Sequence, residues 1–369
     1  MSKRKLKILL SGGGTGGHIF PAVAIADGLK EKFADAEFLF VGAKGRMEME
    51  KVPQSGYKIV GLWISGIQRK LDIRNISFPF KLISSLWKAL GIIRNFKPDV
   101  AIGTGGYASG PLLYMAARKK VPTLILEQNS YPGITNKLLA KKVNTICVAT
   151  PGMEKYFDKE KLVITGSPIR DRITNSKITR KEACEFFNLD TEKSIMLIIG
   201  GSQGARGINL AVAANIKQLC DNGIQILWQT GINYFEEALE LVKSNGLEDS
   251  VFVHKFIMEM EMAYAACDFI VSRSGAIALA EIVQVEKACI FIPLPSAAED
   301  HQTKNALTLV NGNAALLLKE KEAVDSLFTM VNDVMLDKNK KQNLISNIRK
   351  FKTTNATQNI VDEVIKLIG

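Results

Sequence analysis

What most limits the fold of this chain is an alternation of short apolar runs with helical stretches that occurs twice along its length. Residues 5–11, 37–41, 99–102, 123–126 and 145–149 are short, β-rich runs, each followed by glycine or polar residues and then by a helical pattern such as that of 21–33. The pattern returns after residue 190, with strand-like runs at 194–199, 225–228, 251–254, 269–272 and 289–292 and helical stretches such as 209–220 and 276–285 between them. Parallel strands can be joined only by crossovers, usually helices, so the alternation predicts two doubly wound parallel sheets. A length of 369 residues suits two domains. The join is expected near Thr165-Gly166-Ser167-Pro168.

Composition excludes several other classes. With 47% apolar and 23% charged residues the chain can fill full cores and has nothing of a disordered or collagen-like sequence. Cys147, Cys184, Cys220, Cys267 and Cys289 lie far apart with no C-x-x-C pair, which gives neither a disulfide framework nor a zinc site and fits a reducing cytoplasm. The basic N-terminus leads into an apolar run too short for a secretion signal, and the uncharged stretch 100–117 is broken by glycines and Pro111, so no membrane-crossing helix is expected. Charge is unevenly spread. Residues 1–166 carry 26 Lys and Arg against 12 Asp and Glu, a balance of +14, so the rest of the chain carries −3 of the total +11. Such a first half faces nucleic acid, the cytoplasmic membrane leaflet, or simply water.

Three glycine-rich loops follow predicted strands: Ser-Gly-Gly-Gly-Thr-Gly-Gly-His at 11–18, Gly-Thr-Gly-Gly-Tyr at 103–107 and Gly-Gly-Ser-Gln-Gly-Ala at 200–205. Open α/β sheets bind ligands at the carboxyl ends of their strands, where glycine lets the backbone approach a phosphate and the next helix adds its positive end. Gly12-x-Gly14-x-x-Gly17 matches the dinucleotide fingerprint, but the second strand ends in Val41-Gly42-Ala43 with no acid to hold a ribose. No G-x-x-x-x-G-K-[ST] is present, and no Asp-x-Asp pair offers a metal to a nucleotide diphosphate, so neither cofactor nor metal is expected. The charge of a leaving group would then fall to helix ends and amides. His18, one of three histidines, stands where a base could reach an acceptor hydroxyl, although a lone histidine also serves in capping or packing.

Six separated stretches resemble the MurG family: residues 11–18 with Pro21, 103–107 with Ser109-Gly110-Pro111, Glu127-Gln128-Asn129, 200–206, Arg273-Ser274-Gly275 with Glu281, and Asp300-His301-Gln302 with Asn305-Ala306. They run in order from residue 5 to about 310. The family is the cytoplasmic-face N-acetylglucosaminyltransferase of peptidoglycan synthesis. The resemblance implies two Rossmann-like doubly wound parallel-sheet domains facing across a cleft, the GT-B glycosyltransferase fold. The first would be an acceptor- and membrane-facing domain of residues 1–166 completed by a C-terminal helix at about 348–369, and the second a donor-binding domain of 167–347. It also implies an inverting transfer of N-acetylglucosamine from UDP-N-acetylglucosamine to the 4-hydroxyl of the N-acetylmuramyl-pentapeptide on undecaprenyl diphosphate, converting lipid I to lipid II.

Residue by residue, the resemblance puts Ser202 and the amides of 201–205 on the donor diphosphate, the backbone of Ile257 on uracil and Glu281 on the ribose hydroxyls. Asn129, Arg170 and Gln302 fall on donor-binding positions, Thr15, Gly16 and Gly17 close on the sugar, His18 is the catalytic candidate, and Gly105, Gly106 and Tyr107 belong to the acceptor side. Ala278 departs from the pattern, since some members carry a hydroxyl there. Plainer readings stand beside these: Glu281 as a solvated helix residue and Arg170 as an interdomain ion-pair residue. Other classes also stay open: another GT-B nucleotide-sugar enzyme, either a glycolipid transferase or an epimerase, or a non-catalytic nucleotide-sugar-binding membrane module.

The acceptor that the resemblance implies is carried on a lipid, so the basic first half is expected to dock peripherally on anionic lipid at the cytoplasmic face of the bacterial membrane, without nucleic acid as a partner. Residues 58–97 hold Lys58, Arg69, Lys70, Arg74, Lys81, Lys88, Arg94 and Lys97 against Asp72 alone. Among them Ile76, Phe80, Ile83, Leu86, Trp87 and Leu90 form either an apolar docking strip or the core-facing side of an ordinary helix.

Overall fold

The computed structural model describes residues 5–66, 76–201 and 203–369. The chain divides into two compact units, one of Met1–Ile169 with Thr353–Gly369 and the other of Arg170–Lys352.

The first unit is built on a seven-stranded parallel sheet of β1 (Lys7–Gly12), β2 (Glu37–Ala43), β3 (Ile59–Leu62), β4 (Val100–Gly105), β5 (Thr123–Glu127), β6 (Thr145–Val148) and β7 (Leu162–Ile164). Its spatial order is β3-β2-β1-β4-β5-β6-β7. Successive strand residues point to opposite faces, and here both faces are covered. Ile8, Leu10, Phe40, Ile102, Leu124 and Leu126 pack beneath the helix Gly16–Lys32, whose Ile19, Ala22, Ile25, Ala26 and Leu29 recur at helical spacing. Leu9, Val41, Ala101, Ile125 and Ile146 pack on the other face, under the helices Phe78–Phe96 and Ser109–Arg118. The last helix, Ala356–Ile368, joins the first face through fully buried Ile360, Val361 and Val364. It comes in close because Gly28 has no side chain: a Cβ there would lie 3.1 Å from both Thr357 Cγ2 and Val361 Cγ2.

The second unit has six parallel strands, β8 (Ser194–Ile199), β9 (Ile224–Gln229), β10 (Val251–His254), β11 (Phe269–Ser272), β12 (Ala288–Phe291) and β13 (Leu316–Leu317), in the order β10-β9-β8-β11-β12-β13. Met196, Ile198, Ile226, Trp228, Val271 and Ile290 face the helices Arg206–Asp221 and Ala323–Leu336 in one buried cluster. Ile195, Leu197, Leu227, Ile270 and Phe291, on the opposite face of those strands, are just as fully buried. Both sheets are doubly wound, and in each the strand order reverses at one point: between β1 and β4 in the first, between β8 and β11 in the second.

Candidate functional sites at the two switch points

A reversal of strand order opens a crevice at the carboxyl ends of the two central strands, because their crossover helices leave to opposite faces. In the first unit the loops entering that crevice are 11–18 after β1 and 103–107 after β4. They are interlocked. Gly13 N–H donates to the Gly105 carbonyl at 3.3 Å, and Ser109 Oγ donates to the carbonyls of Ser11 at 3.0 Å and Gly105 at 2.8 Å. Gly105 and Gly106 take φ of +111° and +91°, and a Cβ on Gly106 would stand 2.3 Å from the Gly13 carbonyl oxygen. A Cβ on Gly105 would stand 2.6 Å from His18 Cδ2 and 2.8 Å from Nε2. These glycines are therefore required for the two loops to close around the imidazole.

His18 lies half-buried in the first turn of the helix Gly16–Lys32. Its Nδ1 is 2.9 Å from the Gly13 carbonyl oxygen. A carbonyl can only accept, so Nδ1 carries the proton and Nε2 of the neutral ring keeps its lone pair. That tautomer is the one a general base needs. Thr15 is extended at φ −148° and its side chain makes no cap, while its carbonyl takes the amides of His18 at 3.1 Å and Ile19 at 3.2 Å. No acid occupies the first turn of that helix. Tyr107 is 48% exposed beside Gly66.

Asn129 is held by a buried carboxylate: Glu127 Oε1 accepts from its backbone N at 3.0 Å and its Nδ2 at 3.1 Å, while Oε2 accepts from Gly133 N and Asn136 Nδ2, both at 2.9 Å. Gln128 donates to the Gly17 carbonyl at 2.7 Å and accepts from Ser167 Oγ at 3.1 Å. The Glu127-Gln128-Asn129 stretch thus ties the end of β5 to the loop before His18.

In the second unit the corresponding loops are 200–205 after β8 and 273–275 after β11, each opening a helix without an acid in its first turn. Gly201 and Gly204 take φ of +85° and +79°. Ser202 lies outside the described residues. Gln229 links two predicted contacts, donating from Nε2 to the Gly201 carbonyl at 3.0 Å and accepting the Ile257 amide on Oε1 at 2.9 Å. With its N–H used this way, Ile257 can offer a base only its carbonyl. Gln302 accepts Leu294 N–H on its side chain at 3.0 Å and Ser274 Oγ on its carbonyl at 2.8 Å, which joins the start of the helix His301–Val310 to the Arg273-Ser274-Gly275 loop. Arg273 itself is structural: it donates to the carbonyls of Ile292 and Pro293 and pairs with Glu320. Ala278 sits in the first turn of Ala276–Gln284, where a backbone amide is what it can present.

Glu281 and Arg170, 111 positions apart, are bonded to each other. Arg170 donates from Nε at 3.2 Å and Nη2 at 3.0 Å to Glu281 Oε1, and Tyr264 Oη donates to Oε2 at 3.0 Å. Glu281 is 4% exposed, so the surface-residue reading fails, and burial outweighs Arg170 and Tyr264 in pushing its carboxyl above the ordinary range. Arg170 keeps 47% of its side chain exposed and could turn to a phosphate. Glu48, Gln229 and Tyr264 had no signal in the sequence. They act through single bonds to glycine-loop atoms or to Glu281 that only the fold brings together. Among the described residues, no three His, Cys, Asp or Glu side chains gather to hold a metal ion.

Two doubly wound units with glycine loops at both switch points are the parts of a GT-B type fold. The chain belongs to glycosyltransferase family 28, whose N-terminal domain profile matches residues 8–148 and whose C-terminal domain profile matches 195–362. It is 51% identical over 363 residues to a Flavobacterium psychrophilum protein, covering 98% of each chain, and 49% identical over 367 residues to one from Cytophaga hutchinsonii, covering 100% of this chain and 98% of that one. Both are named UDP-N-acetylglucosamine–N-acetylmuramyl-(pentapeptide) pyrophosphoryl-undecaprenol N-acetylglucosamine transferase. The crystal structure of Acinetobacter baumannii MurG superposes with a TM-score of 0.82 at 27% identity, over 98% of this chain and 99% of that one.

Proposed function

We propose that this chain transfers N-acetylglucosamine from UDP-N-acetylglucosamine to the muramyl-pentapeptide of undecaprenyl pyrophosphate, the step from lipid I to lipid II in peptidoglycan synthesis. The observation that carries this reading is identity of 51% along essentially the whole length to a relative named for that reaction. Epimerases and other transferases of similar fold share far less sequence, 14% or lower, and speak for the fold alone.

In the proposed mechanism, the acceptor's 4-hydroxyl oxygen attacks the anomeric carbon, its proton passes to His18 Nε2, and the bond from that carbon to the UDP oxygen breaks with its electron pair leaving on UDP. Attack opposite the leaving group inverts the centre. The loop 200–205, Ile257, Glu281, Arg170 and Gln302 take the donor on the second unit. Thr15, Gly16, Gly17 and Asn129 face the sugar, and Gly105, Gly106 and Tyr107 the acceptor, on the first. Charge on the departing diphosphate meets uncompensated helix ends and amides. Turnover with labelled UDP-N-acetylglucosamine and a lipid I analogue tests the reaction, and His18→Ala should lower kcat by about 100-fold or more, the usual scale for a lost general base, with UDP affinity unchanged. Wild-type turnover in that variant would remove His18 from the chemistry.

The first unit is the membrane-facing one in this reading. Ile76, Phe80, Ile83 and Trp87 are 55–72% exposed, while Ser85, Ala89 and Ile93 are the buried positions of the helix Phe78–Phe96, which carries the last three of them. The strip therefore points outward, and the core-facing alternative does not hold for those four. Beside it, Leu86, Trp87 and Leu90 form a groove of about 330 Å³ with Met115, Arg118 and Lys119. No helix among the described residues is long and apolar enough to cross a membrane. Arg69, Lys70 and Arg74 lie outside the described residues, and Lys81 donates to Ser65 Oγ at 3.1 Å. An apolar strip rimmed by cations suits peripheral docking on the anionic cytoplasmic leaflet. Changing Arg69, Lys70, Arg74 and Lys81 to Glu should abolish co-sedimentation with phosphatidylglycerol or cardiolipin vesicles, and pelleting that survives at the same salt would move the docking face elsewhere.

A further inference from the structure

We infer that Glu48 is a positioning residue for His18 and acts on it through the peptide bond between Gly13 and Gly14. This rests on the reading of His18 as the base. The carbonyl of that peptide belongs to Gly13 and accepts from His18 Nδ1 at 2.9 Å. Its N–H belongs to Gly14 and donates to Glu48 Oε2 at 2.8 Å. A single peptide group therefore stands between a carboxylate and the imidazole.

The carboxylate is fixed as firmly as the ring. Glu48 is 1% exposed, and its other oxygen accepts the Ala43 amide at 2.9 Å. A Cβ on Gly13 would stand 2.2 Å from Glu48 Oε1, and one on Gly42 would stand 2.5 Å from Glu48 Cγ. Both positions need glycine so that the carboxylate can reach the backbone. Glu50, two residues on, has a side chain 69% exposed, so the burial is particular to Glu48.

Hydrogen bonds in series polarise one another, and a carboxylate drawing on the Gly14 N–H makes the Gly13 oxygen a stronger acceptor for Nδ1–H. When Nε2 takes the acceptor's proton, the ring becomes a cation whose Nδ1–H faces an oxygen backed by the Glu48 charge. Nδ1 keeps its own proton throughout. A carboxylate bonded directly to a catalytic histidine holds the tautomer and stabilises the imidazolium. Glu48 does both with one peptide interposed.

No other charged group is bonded to either partner among the described residues. Asp27 and Lys30 on the helix Gly16–Lys32 engage Tyr57, the first as acceptor at 2.6 Å and the second over its ring at 5.9 Å. On the helix Glu48–Gln54, Lys51 engages Glu50 and Gln54. Lys44 after β2 lies along Gly61, and Tyr107 after β4 lies beside Gly66.

Glu48→Gln keeps the shape and removes the charge. In that variant kcat should fall by about tenfold, a fraction of what loss of the base itself costs. The KM for UDP-N-acetylglucosamine and the affinity for UDP should stay unchanged. The acid-side midpoint of the kcat profile should move to lower pH, because the imidazolium has lost a stabilising charge. With three histidines in the chain, nitrogen-15 spectra of histidine-labelled protein can be assigned with His18→Ala. They should show neutral His18 protonated at Nδ1 and its titration midpoint moved the same way by Glu48→Gln. Glu48→Asp keeps the charge and should hold the wild-type midpoint, and it decides the matter if the Gln variant does not fold. An unmoved His18 midpoint in a folded Glu48→Gln protein, or a loss of kcat equal at every pH, would overturn the proposal. If His18→Ala kept its turnover, the base reading would fail, while the spectra would still decide whether Glu48 and His18 are coupled.

Discussion

Gly106→Ala isolates the interlock of the two loops in the first unit, because the three atoms nearest the new methyl are all backbone atoms of Gly13. The Cβ would stand 2.3 Å from the Gly13 oxygen, 2.9 Å from its carbonyl carbon and 3.0 Å from its nitrogen. Non-bonded heavy atoms sit best about 3.5 Å apart or more, so one loop must retreat by roughly 1 Å. The residue must also hold φ +91°, which adds about 1–3 kcal/mol of backbone strain for any side chain. The Gly13 carbonyl that retreats is the acceptor of His18 Nδ1. A displacement of that size at the reacting groups costs on the order of 100-fold in turnover. Transfer of labelled N-acetylglucosamine to a lipid I analogue should show that loss in kcat, and calorimetry should show unchanged affinity for UDP, which this reading places on the other unit. Gly14→Ala is the matched control: its φ is +85° but no atom lies within 4 Å of the new carbon. It should lose about 1 kcal/mol or more of stability to strain and keep most of its turnover. Equal turnover in Gly106→Ala and wild type would refute the claim that loop closure sets the histidine.

Glu281→Gln should weaken UDP binding by about tenfold, since a charged acceptor for hydroxyls is lost. Its effect on apo stability runs the other way with pH. Burial raises the Glu281 carboxyl above 4.5, so its contribution is fully present below that value and is lost as pH rises through the folded value. Urea unfolding should therefore show the Gln variant gaining on wild type from pH 4 towards 7, and a gap that widens in favour of wild type would contradict the burial argument. The cysteines should be inert: burial pushes Cys147 up to about 12 and Cys220 and Cys267 up to about 11, and Cys220 alone is partly exposed. Native protein should react with Ellman's reagent at Cys220 at most, against all five in urea; rapid reaction at two or more sites would show that a unit opens locally.

Most of both sheets is readable from local sequence because the central strands are covered on both faces, which makes them apolar throughout. The runs at 194–199, 251–254 and 269–272 coincide with β8, β10 and β11. Three strands carry no such signal: β3, β7 and β13 are two to four residues long, lie at or next to sheet edges and are partly exposed. The helix Gly16–Lys32 begins five residues before the helical pattern, which starts at Pro21. Gly16 and Gly17 are poor helix formers, and the first turn is set by the Thr15 carbonyl rather than by propensity. At the sites, the glycines and His18 announce themselves by type and spacing, whereas Glu48 does not. In Met47-Glu48-Met49-Glu50 nothing local tells the buried acid from the exposed one, and its partner amide is 34 residues away. Arg170 and Glu281 are likewise unremarkable one by one, and their pairing follows from the fold of the second unit.

The two switch points use one backbone device in opposite electrostatic senses, and this bears on which unit takes the diphosphate. In the first unit the Gly13 and Gly14 amides are already used, one by the Gly105 carbonyl and the other by the Glu48 carboxylate. A phosphate approaching there would meet a buried negative charge, and two like charges 4 Å apart repel by about 4 kcal/mol at an effective dielectric of 20. In the second unit no carboxylate accepts from a described amide of 200–205, and the helix Arg206–Asp221 has no acid in its first turn. The nearby Glu320 spends its charge on Arg273. The positive end of that helix is thus left for an anion from outside, while the anion of the first loop is built in and serves the histidine. Glycine loops of similar make-up therefore favour a donor diphosphate on the second unit and proton chemistry on the first.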